Sequence, residues 1–140
     1  MIPHHTKNKG DLAVLKAAAD LAEQGFLILF PSTEHAPFDL VAYRAARFLR
    51  IQVRYAKARR GRVEVHFSTS YADRTGNHRR KLDRSHVDVV CVYCPDTGAC
   101  YYIEAEDGGS ATLRLSDAAN GQRLNVRRAE LFTKVPQLAP

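Results

Sequence analysis

Apolar and polar positions along the chain change period several times, and each change marks an element. Leu12, Leu15, Ala19 and Ala22 recur at helical spacing, so a helix is expected from about 7 to 24, with Thr6 placed to cap it and Gly25 to stop it. FLILF at 26–30 is a continuous apolar run of the kind a fully buried strand shows. FDLVAY at 38–43 and, after a tight RAAR connection, FLRIQVRYA at 48–56 read as the next two strands. Within the latter, Leu49, Ile51, Val53 and Tyr55 share one face while Arg50, Gln52 and Arg54 share the other. RVEVHF at 62–67 alternates in the same way. From 68 to about 86 no apolar period survives, which predicts a long basic loop, and structureless loops of that length in compact domains usually carry function. Residues 87–93 and 100–103, joined by Pro95-Asp96-Thr97-Gly98, predict a hairpin. ATLRL at 111–115 predicts a short strand and 126–132 a short helix.

Length and composition narrow the class. At 140 residues one domain is expected over 1–140, and 45% hydrophobic with 26% charged residues are ordinary globular values that exclude disordered and fibrous classes. No apolar run approaches the roughly 20 residues that span a bilayer, and MIPHHTKNKGD lacks an apolar leader region, so a soluble, cytoplasmic protein with access to DNA is expected. The net charge of +6 is unevenly distributed: residues 43–84 hold 13 of the 21 Lys and Arg but 3 of the 15 Asp and Glu. A basic segment in an otherwise acidic chain is the footprint of a surface that meets phosphates. Cys91, Cys94 and Cys100 with His86 nearby have a partial zinc spacing, but VDVVCVYC reads as a buried strand, and structural zinc draws on well-separated ligand pairs. The cysteines are therefore expected in the core.

One arrangement carries chemistry. Asp39 on one strand and Gln52 and Arg54, two apart on the next, can share a face if those strands pair antiparallel, and Asp11 near the start of the helix can close the same site. Oxygen donors from Asp39, Gln52 and Asp11 suit a hard divalent cation, magnesium with manganese as an alternative. A water acidified by that metal can attack a phosphodiester while the cation at 54 stabilises charge on the phosphate. Ser32, Glu34 and His35 sit in the loop before Asp39, where a site opening is expected, although loops are polar in any case.

The blocks TKNKGDLAVLKAAADLAEQGF, PFDLVAY, RIQVRYA, HVDVVCVYCPDTGACYYI and TLRLSDAANGQ resemble, in order and over nearly the whole chain, the group I intron-associated PD-(D/E)XK endonuclease family, which includes intron-encoded homing endonucleases. The resemblance implies an α/β fold, a restriction-endonuclease-like core with a mixed central sheet flanked by helices. It implies a metal-dependent, site-specific endonuclease of double-stranded DNA, with Asp39 binding metal and Gln52 and Arg54 at the motif's paired positions. It also implies a homo-oligomer, a tetramer or a dimer, because two-fold symmetry supplies the two cuts of a duplex. Arg54 stands where the family has lysine, and an arginine stays a permanently charged fork that stabilises charge but does not transfer protons. Many relatives carry a glutamate where this chain has Val14, which leaves Asp11 as the helix ligand.

For DNA contact the expected residues are Asn77, His78, Arg79, Arg80 and Lys81 in the basic loop, with Arg74, Arg84 and Tyr71 beside them and Lys57, Arg59, Arg60 and Arg62 continuing the strip after the site strand. Arginine can read guanine and asparagine adenine in the major groove, although most such contacts go to phosphate. Three alternatives stay open: a structure-selective nuclease of the Holliday-junction type, a DNA-binding protein weakened or inactive in catalysis through Arg54, and a structural or protein-interaction domain that is simply basic, which would bind without the steep salt dependence of phosphate neutralisation.

Overall fold

A computed structural model describes residues 6–116 and 126–139, apart from the side chains of Thr6, Lys7, Ser70 and Tyr71. The cap expected of Thr6, any contact by Tyr71 and the end of the TLRLSDAANGQ block from residue 117 lie outside that set. Helix α1 spans Thr6–Glu23 and ends where expected. Gly25, at φ +90°, lets its own N–H reach the Ala22 carbonyl and the Phe26 N–H reach the Leu21 carbonyl, a two-bond glycine stop that also packs Phe26 beside Leu21 in the core. The helix turns a different face inward from the one its leucines predict. Ala13, Ala17 and Leu21 are fully buried, whereas Leu15 is 66% exposed. Small residues allow the backbone to approach the sheet closely, and the Tyr102 hydroxyl, donating to Asp20 Oδ2 at 2.5 Å, sets the rotation of the helix.

Five strands form the central sheet in the order β1 (Leu27–Leu29), β2 (Leu40–Arg44), β3 (Arg47–Tyr55), β7 (Val89–Cys94) and β8 (Ala99–Glu104). Only β3 and β7 run parallel; the other neighbours are antiparallel, so the sheet is mixed as expected. FLILF is not a fully buried strand: Phe26 is buried, but Leu27 is 62% and Phe30 58% exposed, because β1 lies at the sheet edge with one face uncovered. Between β2 and β3 the register closes on Arg44 and Arg47, leaving Ala45 and Ala46 as a two-residue turn at φ +53° and +64°. That left-handed pair matches the twist of the strands, yet alanine pays a steric penalty there that glycine and asparagine largely avoid.

The crossover from β3 to β7 is built from strands. It runs through β4 (Arg62–His66), β5 (Ser68–Asp73) and β6 (Gly76–Lys81). The segment at 68–86 is thus not a structureless loop, since β5 and β6 pair antiparallel from Ser68–Lys81 to Asp73–Gly76. Strand β9 (Ser110–Arg114) pairs with β4, and β10 (Arg127–Arg128) runs parallel to β9. The helix expected at 126–132 is instead β10 followed by a single 3-10 turn, Ala129–Phe132.

These elements make three layers. One apolar cluster joins α1 to the sheet face carrying Leu49, Ile51, Val53, Cys91 and Tyr102. The other joins Val90, Val92, Tyr101 and Ile103 on the opposite face to Val63, Val65 and Leu113 of the small sheet. A sheet rather than a second helix therefore covers that face; α1 is the one α-helix among the described residues. Cys91 and Cys94 belong to opposite clusters, and all three cysteines are free and buried, as the core reading expects. No helix among the described residues is long and apolar enough to cross a membrane.

Two outcomes test this account. Replacing Ala45-Ala46 by Asn-Gly relieves the left-handed strain and should stabilise by about 1 kcal/mol, raising Tm by roughly 3–5 °C in calorimetry. Tyr102→Phe leaves Asp20 without its hydroxyl donor and should cost about 1–3 kcal/mol in denaturant unfolding.

Candidate active site

The alternation that buries Ile51 and Val53 against α1 turns Gln52 and Arg54 to the other face of β3. Asp39 immediately precedes β2, whose register pairs Leu40 with Ile51, and its N–H extends the ladder to the Ile51 carbonyl at 2.9 Å. Asp39 therefore sits at the head of β2 beside Ile51–Arg54 of β3, where its charge and that of Arg54 act on each other. The expected antiparallel pairing of these two strands is present, and it brings Asp39 and Arg54 within electrostatic reach of each other.

Their environment is dry. Gln52 is 8% exposed, and its Oε1 is a buried acceptor without a hydrogen-bond partner. Asp39 Oδ2 accepts the Val53 N–H at 2.7 Å, which orients the carboxylate along the strand end. Burial pushes the Asp39 carboxyl above its ordinary pKa of 3.8, a shift opposed in part by that N–H and by the charge of Arg54. Burial lowers the pKa of Arg54, and the nearby Asp39 charge counters it. Arg54 also donates from Nη2 to the Ser68 carbonyl at 2.7 Å, so one guanidinium joins the site to the first residue of β5.

The donor set fits a hard divalent cation. An amide oxygen buried with no partner is costly unless something else satisfies it, and a carboxylate with one oxygen committed to a backbone N–H has a second left to give. The set is small, though: among the described residues no three His, Cys, Asp or Glu side chains converge. Asp11 is not brought to it. It is exposed on α1, the helix packed on the other face of the sheet, with no bond to Asp39, Gln52 or Arg54. Glu34 and His35 are exposed in the preceding loop, where the His35 N–H takes Thr33 Oγ1.

The basic strip has a definite shape. Arg59 and Arg62 bridge across a tight turn, and together with Lys9, Lys57 and Arg60 they line a groove of about 750 Å³ at the end of β3. Tyr55, Glu64 and His66 complete its walls, and Lys9 Nζ lies 5.8 Å from the Tyr55 ring centre. Sequence reading missed Lys9, Glu64 and His66, because the helix start and β4 meet here only through the fold. None of Asp39, Gln52 or Arg54 lines the groove, so site and groove are neighbours at one strand end rather than one cavity. Asn77, Arg79, Arg80 and Lys81 are exposed on β6, and His78 is partly buried between Asp73 and Thr75.

Because the folded pKa of Asp39 is raised, the metal-free fold is favoured by its protonation and loses that increment as pH rises through the folded value. Asp39→Asn should therefore raise the metal-free Tm at pH 7 modestly. Magnesium should raise the wild-type Tm but not that of Asp39→Asn, and in wild type the metal gain should fade on acidification at a pH above 3.8. Thermal shift with and without magnesium between pH 4 and 8 reads all three.

A family model described as PD-(D/E)XK endonuclease matches residues 4–135. Among solved structures, the bacterial homing endonuclease I-Ssp6803I superposes with a TM-score of 0.70 at 20% identity, covering 92% of this chain and 88% of that one. Hjc of Archaeoglobus fulgidus, a Holliday junction resolvase, gives a TM-score of 0.47 at 15% identity over 74% of this chain and 83% of its own. No curated protein sequence matches. The family match takes in α1, the central sheet and all of Asp39, Gln52 and Arg54, and the chain belongs to the PD-(D/E)XK endonuclease family.

Proposed function

We propose that this chain is a magnesium-dependent endonuclease that cuts double-stranded DNA at a specific sequence, as a homo-oligomer of one nuclease domain per chain. The observation that carries the reading is the buried, unpartnered Gln52 Oε1, an acceptor expensive to fold without a cation to hold, on the stretch of β3 whose Val53 N–H and Arg54 charge also engage Asp39. Asp39 and Gln52 would hold the metal, with manganese able to replace magnesium, and Asp11 has no part that its position supports. When bound, the cation supplies Lewis acidity and a water acidic enough to attack phosphorus near neutral pH.

The chain's own residues do the rest. Asp39, ionised, offers the oxygen not committed to Val53. Arg54, anchored through one nitrogen to Ser68, keeps its other N–H groups for the oxygens of the scissile phosphate, where charge grows in the transition state. It moves no proton. The groove cations Lys57, Arg59, Arg60 and Arg62, with Lys9, hold the flanking backbone, and β6 supplies the remaining contacts. One site per chain cuts one strand, so a double-strand cut calls for two chains, in a dimer or a tetramer. Leu27 and Phe48, exposed on the uncovered part of the site face, support such association.

The test is cleavage of a plasmid library carrying random and genomic inserts. Wild type in magnesium should cut, cutting should need the metal, and Asp39→Ala should reduce it at least roughly 100-fold. Fragments sharing a sequence support the site-specific reading; fragments sharing only a branched shape overturn it. A second reading, a binder without catalysis, rests on the permanently charged Arg54. Arg54→Lys separates the two: the active enzyme should slow, because an ammonium cannot both bind Ser68 and fork onto phosphate, whereas an inactive binder should gain cutting.

A further inference from the structure

The hairpin of β5 and β6 stands on a fixed base and ends in a fixed tip. At the base, the Leu82 N–H donates to the Phe67 carbonyl and the Phe67 N–H to the Gly109 carbonyl, with Phe67 and Leu82 both buried. Arg54 grips the Ser68 carbonyl just above. At the tip, Asp73 Oδ1 accepts from the Thr75 N–H at 2.8 Å and from the Thr75 hydroxyl at 2.6 Å, and His78 Nε2 closes the knot at 2.8 Å from Asp73 and 2.6 Å from Thr75. A polar two-stranded ribbon would fray in water without such ties. This one holds its shape between them.

Along β6 the side chains alternate, so Asn77, Arg79 and Lys81 share one face and His78 and Arg80 the other. The His78 face is committed to the tip knot. On the opposite face Asn77 and Arg79 are exposed, make no hydrogen bond or ion pair with the described residues, and stand in register with Ala72 and Ser70, residues with short side chains. Lys81 lies lower, where its methylene stem runs against Gly108. A two-stranded ribbon fits the major groove, arginine can pair both acceptors of guanine and asparagine both groups of adenine.

Resting on the DNA-cutting reading above, we propose that Asn77 and Arg79 are the base-reading residues of this chain, through the major groove, and that His78 positions them without touching DNA. Lys81 and the groove cations hold phosphate. Of the residues the sequence marks as DNA contacts, the fold thus separates readers from holders.

The experiment selects bound duplexes from a random DNA pool, in calcium, with wild type, Arg79→Ala, Asn77→Ala and Arg59→Ala, each first shown to melt like wild type. Wild type should enrich a motif. Arg79→Ala should lose the preference for guanine at one position, and Asn77→Ala that for adenine at another, by roughly 5- to 100-fold each, with the rest of the motif retained. Arg59→Ala should weaken all sequences alike and lower the salt slope of binding by about 1. An unchanged motif in both hairpin variants, with affinity merely lowered, overturns the assignment. Wild type that binds in a salt-sensitive way but enriches nothing overturns this inference while leaving the cutting reading intact; wild type that binds no duplex overturns both.

Discussion

Strand β3 has to satisfy two demands at once, and the period-two geometry of an extended chain is what allows it. Ile51 and Val53 point to α1 and belong to an apolar cluster built from Ala13, Ala17, Leu21, Cys91 and Tyr102. Gln52 and Arg54, their neighbours in sequence, cannot point the same way, and Asp39 meets this stretch of the strand through the Val53 N–H and the charge of Arg54. Because β3 pairs with both β2 and β7, moving it by one residue would empty the core and dismantle the site together. Packing energy on one face therefore holds polar groups in place on the other, groups that would not choose those positions for themselves.

Those polar groups are held against their own preference. Burial raises the Asp39 carboxyl and lowers the Arg54 guanidinium, and the buried Gln52 amide oxygen finds no protein donor. The Val53 N–H and the charge opposition of Asp39 and Arg54 offset part of that cost. What is left over is a standing bias towards binding something positive and oxygen-seeking. A site that is costly when empty is a common way for a fold to set aside binding energy for a ligand.

Arg54 also explains how distant parts of the molecule are related. Its bond to Ser68 connects the site to a hairpin whose base is tied to the core through Phe67, Leu82 and Gly109. A lysine offers a compact ammonium head in place of the planar fork with which Arg54 reaches Ser68. The replacement that looks like a loss of proton chemistry in the sequence is, in the fold, a structural tie.

Much of this was legible along the chain. The alternation of β3, the tight RAAR turn, the 89–104 hairpin, the glycine stop at Gly25 and the shared face of Gln52 and Arg54 all follow from local rules, because strand geometry and turn chemistry act over a few residues. The hairpin at 68–81 was not legible, since a ribbon exposed on both faces carries no apolar period to read. Nor was the buried face of α1: its leucines point one way, but close approach of Ala13 and Ala17 and the Asp20–Tyr102 bond turn it another. Sequence by itself determined which residue types could do chemistry and the strand face on which they lie. Tertiary structure alone decided that Asp11 is exposed on α1, that Lys9 and His66 share a groove, and that His78 is tied at the tip while Arg79 is left exposed. The reason is physical: those outcomes depend on contacts between residues far apart in the chain, and no local preference encodes them.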